Sequence, residues 1–303
     1  MPELPEGLEK FLKSLGVNTS RLKWKLYDLS RWWERFRAKF KPVPGKKRYK
    51  HCRCGQLHLA EDKVCVSCGK KLPSYIAYRI KRLLAIEVPS GGIVSPVFLF
   101  VIVLLYALQV AKFGFSSLML PSGEALVRFG ALTGNLVREG EYFRILTMAL
   151  VHIGVIHILF NSMAISQMLP HFEEEIGSWA TLIVITATQL AAAGAHLVFY
   201  NPLVVTAGAS GIGFGLIGFG VAYFRRKRRR AESRFFFQWF IYGMAFSFIF
   251  RANHAAHVGG FAAGLVLGYI LAVRAPGPVS RKIRKAAGIL CLLAWAASIA
   301  LMF

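Results

Sequence analysis

Length alone allows one to three domains for these 303 residues, but 55% of them are hydrophobic and gather in long blocks after residue 91, which excludes a soluble globular protein. The formal net charge of +23 could serve a nucleic-acid partner, yet its placement follows membrane topology, so nucleic acid is set aside. Residues 1–90 are too polar to hold a secretory signal peptide, and the first apolar run begins too late to be one.

Residues 1–48 read as a basic amphipathic region, with Trp24, Trp32, Trp33, Phe36 and Phe40 among many Lys and Arg. That composition suits the surface of a bilayer. Its last stretch, KPVPGKK (Lys41–Lys47), reads as a linker. Residues 49–74 carry Cys52-x-Cys54-Gly and Cys65-x2-Cys68-Gly, which together are similar to a zinc ribbon, two turns each offering two thiolates to a tetrahedral ion. Gly55 and Gly69 suit the tight turns such knuckles need. The first pair has one intervening residue where two are usual, so His51 with Cys54 stands as an alternative to Cys52 with Cys54. Four protein ligands leave no open coordination position, so the zinc is expected to be structural. A cytosolic position, inferred below from charge, disfavours disulfides. Residues 75–92 form a juxtamembrane linker, and Cys291, alone in the last apolar run, reads as a core residue.

Seven apolar runs follow, at 94–112, 144–168, 178–200, 208–224, 235–250, 255–273 and 286–303. Each approaches the length that crosses the hydrocarbon layer, about 20 residues for roughly 30 Å. The chain is therefore expected to be an all-α polytopic membrane protein. Residues 1–90 hold 21 Lys/Arg against 8 Asp/Glu, and two short loops are also basic: Arg225–Arg230 with Arg234, and Arg274 with Arg281–Lys285. Positive residues near helix ends mark the cytoplasmic side. All three regions agree on one topology in a cell (inner or plasma) membrane, with the N-terminus cytoplasmic and the C-terminus outside.

Polar side chains inside such segments are costly and demand a reason. The second run contains His152, His157 and Asn161, the fourth opens with Ser210, and the sixth has His254 and His257 near its start. The charge assignment runs all three segments from outside to inside, so Ser210 and His257 fall at similar depth. His157 and Asn161 are four residues apart and share one helix face. Gly211, Gly215 and Gly218 form one small-residue stripe, and Gly260, Gly264 and Gly268 another, which lets two helices approach closely. Ser210 then has a base in His257, and Asn161, His157 and the backbone amides at the start of the fourth segment are candidate oxyanion donors. Residues 91–303 contain no Asp, and their glutamates lie in or beside loops, so a buried Ser-His-Asp triad is excluded and a serine hydrolase here must run on a dyad. GASGI (Gly208–Ile212) also departs from the G-x-S-x-G elbow of soluble hydrolases, because Ile212 takes the second glycine position.

With these residues in place, the chain resembles the rhomboid family of intramembrane serine proteases over roughly 94–273. Phe129–Asn161 is similar to the family's G-A…W-R…H-x4-H-x3-N block, Gly208–Gly218 to its G-x-S-G motif, Ala256–Gly264 to A-H-x-G-G-x3-G, and Glu173–Gly177 to its E-x3-G turn. The resemblance implies a six-helix protease core at 93–273 and, in 274–303, a basic loop and a seventh transmembrane helix. It implies a Ser210–His257 dyad needing no catalytic cofactor, with His157, Asn161 and the Ser210 amide at the oxyanion, and His152 and Gly208 near the cavity. It implies transmembrane proteins as substrates, cut within or beside the membrane span. Phe143 replaces the Trp of the W-R pair, Leu169-Pro170 replaces a glycine before the E-x3-G turn, and His254 adds a second imidazole that could compete with His257. A catalytically silent member that binds membrane clients is the alternative function. A His-based transporter would call for carboxylates at midplane or inverted repeats, and neither is present.

Overall fold

The computed structural model describes residues 92–303 except 250–251 and 273–277, residues 49–78 except 53–55, 70 and 77, and scattered positions between 7 and 34. Trp32, Trp33, Phe36, Phe40, the 41–47 linker, Cys54, the His51 side chain, Arg274 and most of the 75–92 juxtamembrane stretch lie outside the described residues. The chain forms two compact units, Met1–Leu83 and Leu84–Phe303.

In the first unit, β1 (Tyr49–His51) and β2 (Leu57–Leu59) pair antiparallel, with Lys50 opposite His58. An isolated bridge joins Val64 to Lys71. The second knuckle closes through the Gly69 amide, which donates to the Cys65 carbonyl at 2.9 Å, and Gly69 sits at φ +68°, where a side chain would be strained.

Among its described residues the second unit has seven helices of 17 residues or more: α1 (Val94–Phe113), α5 (Val155–Ile176), α6 (Ser178–Phe199), α7 (Ser210–Arg226), α8 (Arg230–Ile249), α9 (His254–Leu271) and α10 (Pro278–Ala300). Between α1 and α5 a long loop folds into a 3-10 turn (Phe115–Leu118) and three short helices, α2 (Gly123–Arg128), α3 (Gly134–Arg138) and α4 (Arg144–Thr147). This is the architecture of an all-α, multi-pass membrane protein. By length and composition α1, α6, α9 and Val279–Ala300 of α10 are apolar enough to cross a bilayer. Helices α5, α7 and α8 are not among these: α5 carries two histidines, an asparagine and three glutamates, α7 has only 17 residues, and α8 opens with Arg230, Glu232 and Arg234.

The apolar run at 144–168 is not one helix. Its first part folds as α4 and an irregular stretch, and α5 starts only at Val155. The break falls at Gly154, whose φ is +94° and where a Cβ would overlap the Met119 carbonyl oxygen. Hydropathy cannot register such a break, since buried irregular backbone is as apolar as a helix when surrounding protein satisfies it.

The end of α5 also differs from expectation. Glu173 is not a loop carboxylate but is 3% exposed, inside the last turn of the helix. Its oxygens accept the amides of Val94 (2.9 Å) and Ser95 (2.8 Å) and the hydroxyls of Ser95 and Ser178 (both 2.6 Å). A single carboxylate thus caps the N-terminus of α1, where unpaired amides and the helix dipole favour an anion, and ties it to the start of α6. Pro170 lies within α5 and is buried.

Helix α7 is the centre of the unit, with residues 211–220 all buried. It packs against α9 backbone to backbone: a Cβ on Gly260, Gly264 or Gly268 would overlap the carbonyl of Gly211, Gly215 or Phe219 respectively, and one on Gly218 that of Phe261. On its other side Gly211 meets Ala192 and Gly215 meets Thr188, both of α6. The two glycine stripes are therefore a seam. At 17 residues α7 rises about 25 Å, less than the roughly 30 Å of hydrocarbon. Its last turn carries the exposed Arg225 and Arg226, so the shortfall falls at the Ser210 end.

Candidate functional site

Ser210 is the first residue of α7, and the segment before it is fixed on both sides. Leu132 and Thr206 exchange backbone hydrogen bonds (3.0 and 2.9 Å), and the Gly208 amide donates to the Met148 carbonyl at 2.7 Å. Gly208 has φ +121°, and a Cβ there would overlap the His157 ring and come within 3.4 Å of Asn161 Nδ2. Glycine is thus required on two grounds, conformation and the approach of two polar side chains to the chain just ahead of Ser210.

The Ser210 Oγ lies 2.9 Å from His257 Nε2. His257, one turn into α9, is 4% exposed and stacks on Phe214, with ring centroids 4.1 Å apart and an interplanar angle of 15°. Phe214 stands four residues after Ser210, on the same face of α7. The other ring nitrogen, Nδ1, lies 2.7 Å from Ser247 Oγ on α8. The start of α9 is set by Asn253, whose Oδ1 accepts the Ala256 amide at 3.0 Å as an N-cap. The Asn253 amide group also donates to His196 Nδ1 (2.7 Å) and Thr206 Oγ1 (3.0 Å), which locks α9 to α6 and to the loop before Ser210.

The remaining sequence candidates are placed as follows. His157 Nδ1 accepts the Ile153 amide at 3.4 Å, which leaves Nε2 to carry the proton in the neutral ring. Asn161 is 9% exposed, and its Nδ2 has no hydrogen-bond partner among the described residues. His152 is fully buried, with its ring centroid 5.3 Å from that of His157; its Nδ1 lies 3.3 Å from the Leu150 carbonyl, and its Nε2 has no partner. A proton on Nδ1 makes that orphan nitrogen an acceptor, so His152 in this form offers nothing to an oxyanion. His254 stacks on Phe248 at 4.2 Å and makes no hydrogen bond to Ser210. Arg144 is 7% exposed and donates to the carbonyls of Val127 (2.6 Å) and Ala131 (2.9 Å), with its guanidinium 5.1 Å from the Phe143 ring. It braces the long loop, and Phe143 serves as its platform.

Sequence reasoning missed Phe214, Ser247, Asn253 and His196. Phe214 was legible from its i+4 spacing to Ser210. Asn253 was legible as an N-cap ahead of the sixth apolar run, whereas Ser247 and His196 meet His257 and the start of its helix only on packing.

In the first unit, Sγ atoms of Cys52, Cys65 and Cys68 lie within 4.8 Å of one another. Cys52 and Cys65 are buried, and His58 Nε2 lies 3.2 Å from Cys65 Sγ. Three converging thiols form a donor set suited to a soft or borderline cation such as zinc. No other metal-ligating group of three is present among the described residues.

Comparisons with known proteins agree with this picture. The Rhomboid domain profile matches residues 139–274. The chain is 30% identical over 173 residues to the rhomboid protease GluP of Bacillus subtilis, covering 56% of this chain and 34% of GluP. It is 32% identical over 178 residues to the B. subtilis rhomboid relative YdcA, covering 56% of this chain and 87% of YdcA. It is 29% identical over 174 residues to RHOMBOID-like protein 5 of Arabidopsis thaliana, covering 51% of this chain and 52% of that protein. The match thus reaches only about a third of GluP's length but nearly all of YdcA. Helical bundle, motif order and relatives define one class: this chain belongs to the rhomboid family.

Proposed function

We propose that this protein is an intramembrane serine endopeptidase that hydrolyses peptide bonds in or beside the transmembrane segments of other membrane proteins. The observation that carries the reading is the 2.9 Å contact between Ser210 Oγ and His257 Nε2, at the start of the central helix. In this reading Nε2 takes the hydroxyl proton as Oγ attacks the scissile carbonyl carbon. The oxyanion is met by Asn161 Nδ2, His157 Nε2–H and the Ser210 amide, an unpaired donor at a helix start. Support comes from the orphaned Asn161 Nδ2 and from the approach of both side chains to Gly208. The imidazolium then gives its proton to the leaving nitrogen, the C–N bond breaks, and water, deprotonated by His257, releases the acyl group. No step needs a metal.

The ribbon thiols Cys52, Cys65 and Cys68, with Cys54 as fourth ligand, would hold a structural zinc. The domains follow as a basic N-terminal region (1–48), ribbon (49–74), linker (75–92), protease core (93–273) and seventh helix (274–303). The basic loops support a reading with the N-terminus in the cytoplasm and the C-terminus outside a cell membrane.

Labelling of the purified protein with a fluorophosphonate serine probe tests the reading without knowledge of the substrate. Wild type and His254→Ala are expected to label, and Ser210→Ala and His257→Ala are not. Absence of labelling in folded wild type would sink the protease reading and favour a client-binding role.

A further inference from the structure

We propose that Ser247 is a positioning residue for His257, acting in place of the carboxylate of a serine-protease triad. The inference rests on the Ser210–His257 reading and deepens it. Ser247 lies two residues from the end of α8 and is 2% exposed, on a helix that turns Phe235, Trp239, Tyr242, Phe246 and Phe248 outward and buries Ser233 and Phe236 nearer its start. A hydroxyl buried on so apolar a helix needs a partner, and its side-chain hydrogen bond is the 2.7 Å contact to His257 Nδ1.

Three contacts then define the ring. Phe214 fixes its plane at 4.1 Å and 15°, Ser210 holds Nε2, and Ser247 holds Nδ1 on the opposite edge. Rotation of the imidazole about its own bond would break both hydrogen bonds at once. At rest the pair is compatible with either neutral tautomer. The proton transfer is not so permissive: once Nε2 has taken the Ser210 proton, both ring nitrogens are donors, and Nδ1–H needs an acceptor. Ser247 Oγ is that acceptor. The Ser247 proton itself does not move, and the Nε2 proton goes on to the leaving nitrogen.

A neutral acceptor suits the setting. No Asp occurs in 91–303, and five of its seven glutamates are engaged elsewhere: Glu173 caps α1, Glu124 pairs with Arg128, Glu141 with Arg144, and Glu175 and Glu232 with Arg229. A carboxylate beside His257 would have to be desolvated inside the membrane, at a cost a hydroxyl avoids.

The test is the second-order rate of fluorophosphonate labelling of the full chain in wild type, Ser210→Ala, Ser247→Ala, Ser247→Thr and Ser247→Val, alongside thermal unfolding. Thr and Val have nearly the same shape, so they separate the hydroxyl from packing. Ser247→Ala and Ser247→Val are expected to label roughly ten- to a hundredfold more slowly, the worth of a hydrogen bond to a charged group, and Ser247→Thr to recover most of the rate over Ser247→Val. Equal rates for Thr and Val would overturn the proposal, even if Ser247→Ala fails to fold. So would a wild-type rate in Ser247→Ala while Ser210→Ala is silent, which leaves the dyad reading intact. Loss of labelling in wild type itself would remove both.

Discussion

A serine hydroxyl in a membrane helix is ordinarily inert, because nothing nearby takes its proton and nothing meets the charge that follows. Ser210 differs in having a ring nitrogen at 2.9 Å and two polar side chains against the backbone just before it. The orphaned Asn161 Nδ2 allows a clean separation of catalysis from stability. Truncation of a hydrogen-bonded buried group usually destabilises by leaving its partner unpaired, but here no partner is abandoned. Asn161→Ala is therefore expected to slow probe labelling by about a hundred- to a thousandfold, the usual toll of losing one oxyanion donor, while the unfolding midpoint stays near that of wild type. A parallel fall in midpoint and labelling would instead assign Asn161 to packing. The Phe214–His257 stack belongs to the same scale, and it explains why an aromatic residue follows Ser210 by four positions.

At the scale of elements, the seam between α7 and α9 decides whether Ser210 and His257 meet. Each helix contributes one of the two, and the separation of the pair is set by glycines that admit the neighbouring backbone. Gly264→Leu would drive a side chain into the Gly215 carbonyl and force the helices apart. Overpacking of this kind costs about 1–3 kcal/mol. A lower unfolding midpoint and lost labelling are expected, measured against Gly213→Ala as control, since a Cβ at Gly213 meets nothing within 4 Å. Gly213→Ala should leave labelling intact and raise stability slightly, by the fraction of a kcal/mol that a helix gains when Ala replaces Gly. Failure of both variants alike would show that backbone flexibility, not close approach, is what the glycines supply. Glu173 works at this scale too, as one buried carboxylate that joins the ends of α1, α5 and α6.

At the scale of the whole molecule, two units with different physics share one chain. The bundle buries a continuous apolar core around α7, whereas the described residues of the first unit include a two-stranded sheet and the buried Lys50, Cys52, His58 and Cys65. So small a unit is expected to depend on a metal for its order. Purified wild type should carry about one zinc per chain by elemental analysis, and Cys65→Ser should lose it. Protease digestion should then cut that variant within residues 49–74 while the helical unit survives. A metal-free wild type that resists digestion equally well would remove zinc from the ribbon.

The sequence by itself determined the apolar segments, the two glycine stripes, the ribbon spacing and the pairing of Ser210 with His257 as candidates. These are local regularities, hydropathy over a span or small residues at helical period, and each survives in any fold that uses the segment. Tertiary structure alone decided that 148–154 is irregular and separates α4 from α5, that Glu173 caps a helix beginning 79 residues before it, and that Ser247 faces His257. One of two serines in a Phe-rich helix and one glutamate among three carry no periodic signal. Their meaning arises when helices pack side by side, whether consecutive, as for Ser247 and His257, or 79 residues apart, as for Val94 and Glu173, and a buried polar atom then finds its partner across the gap.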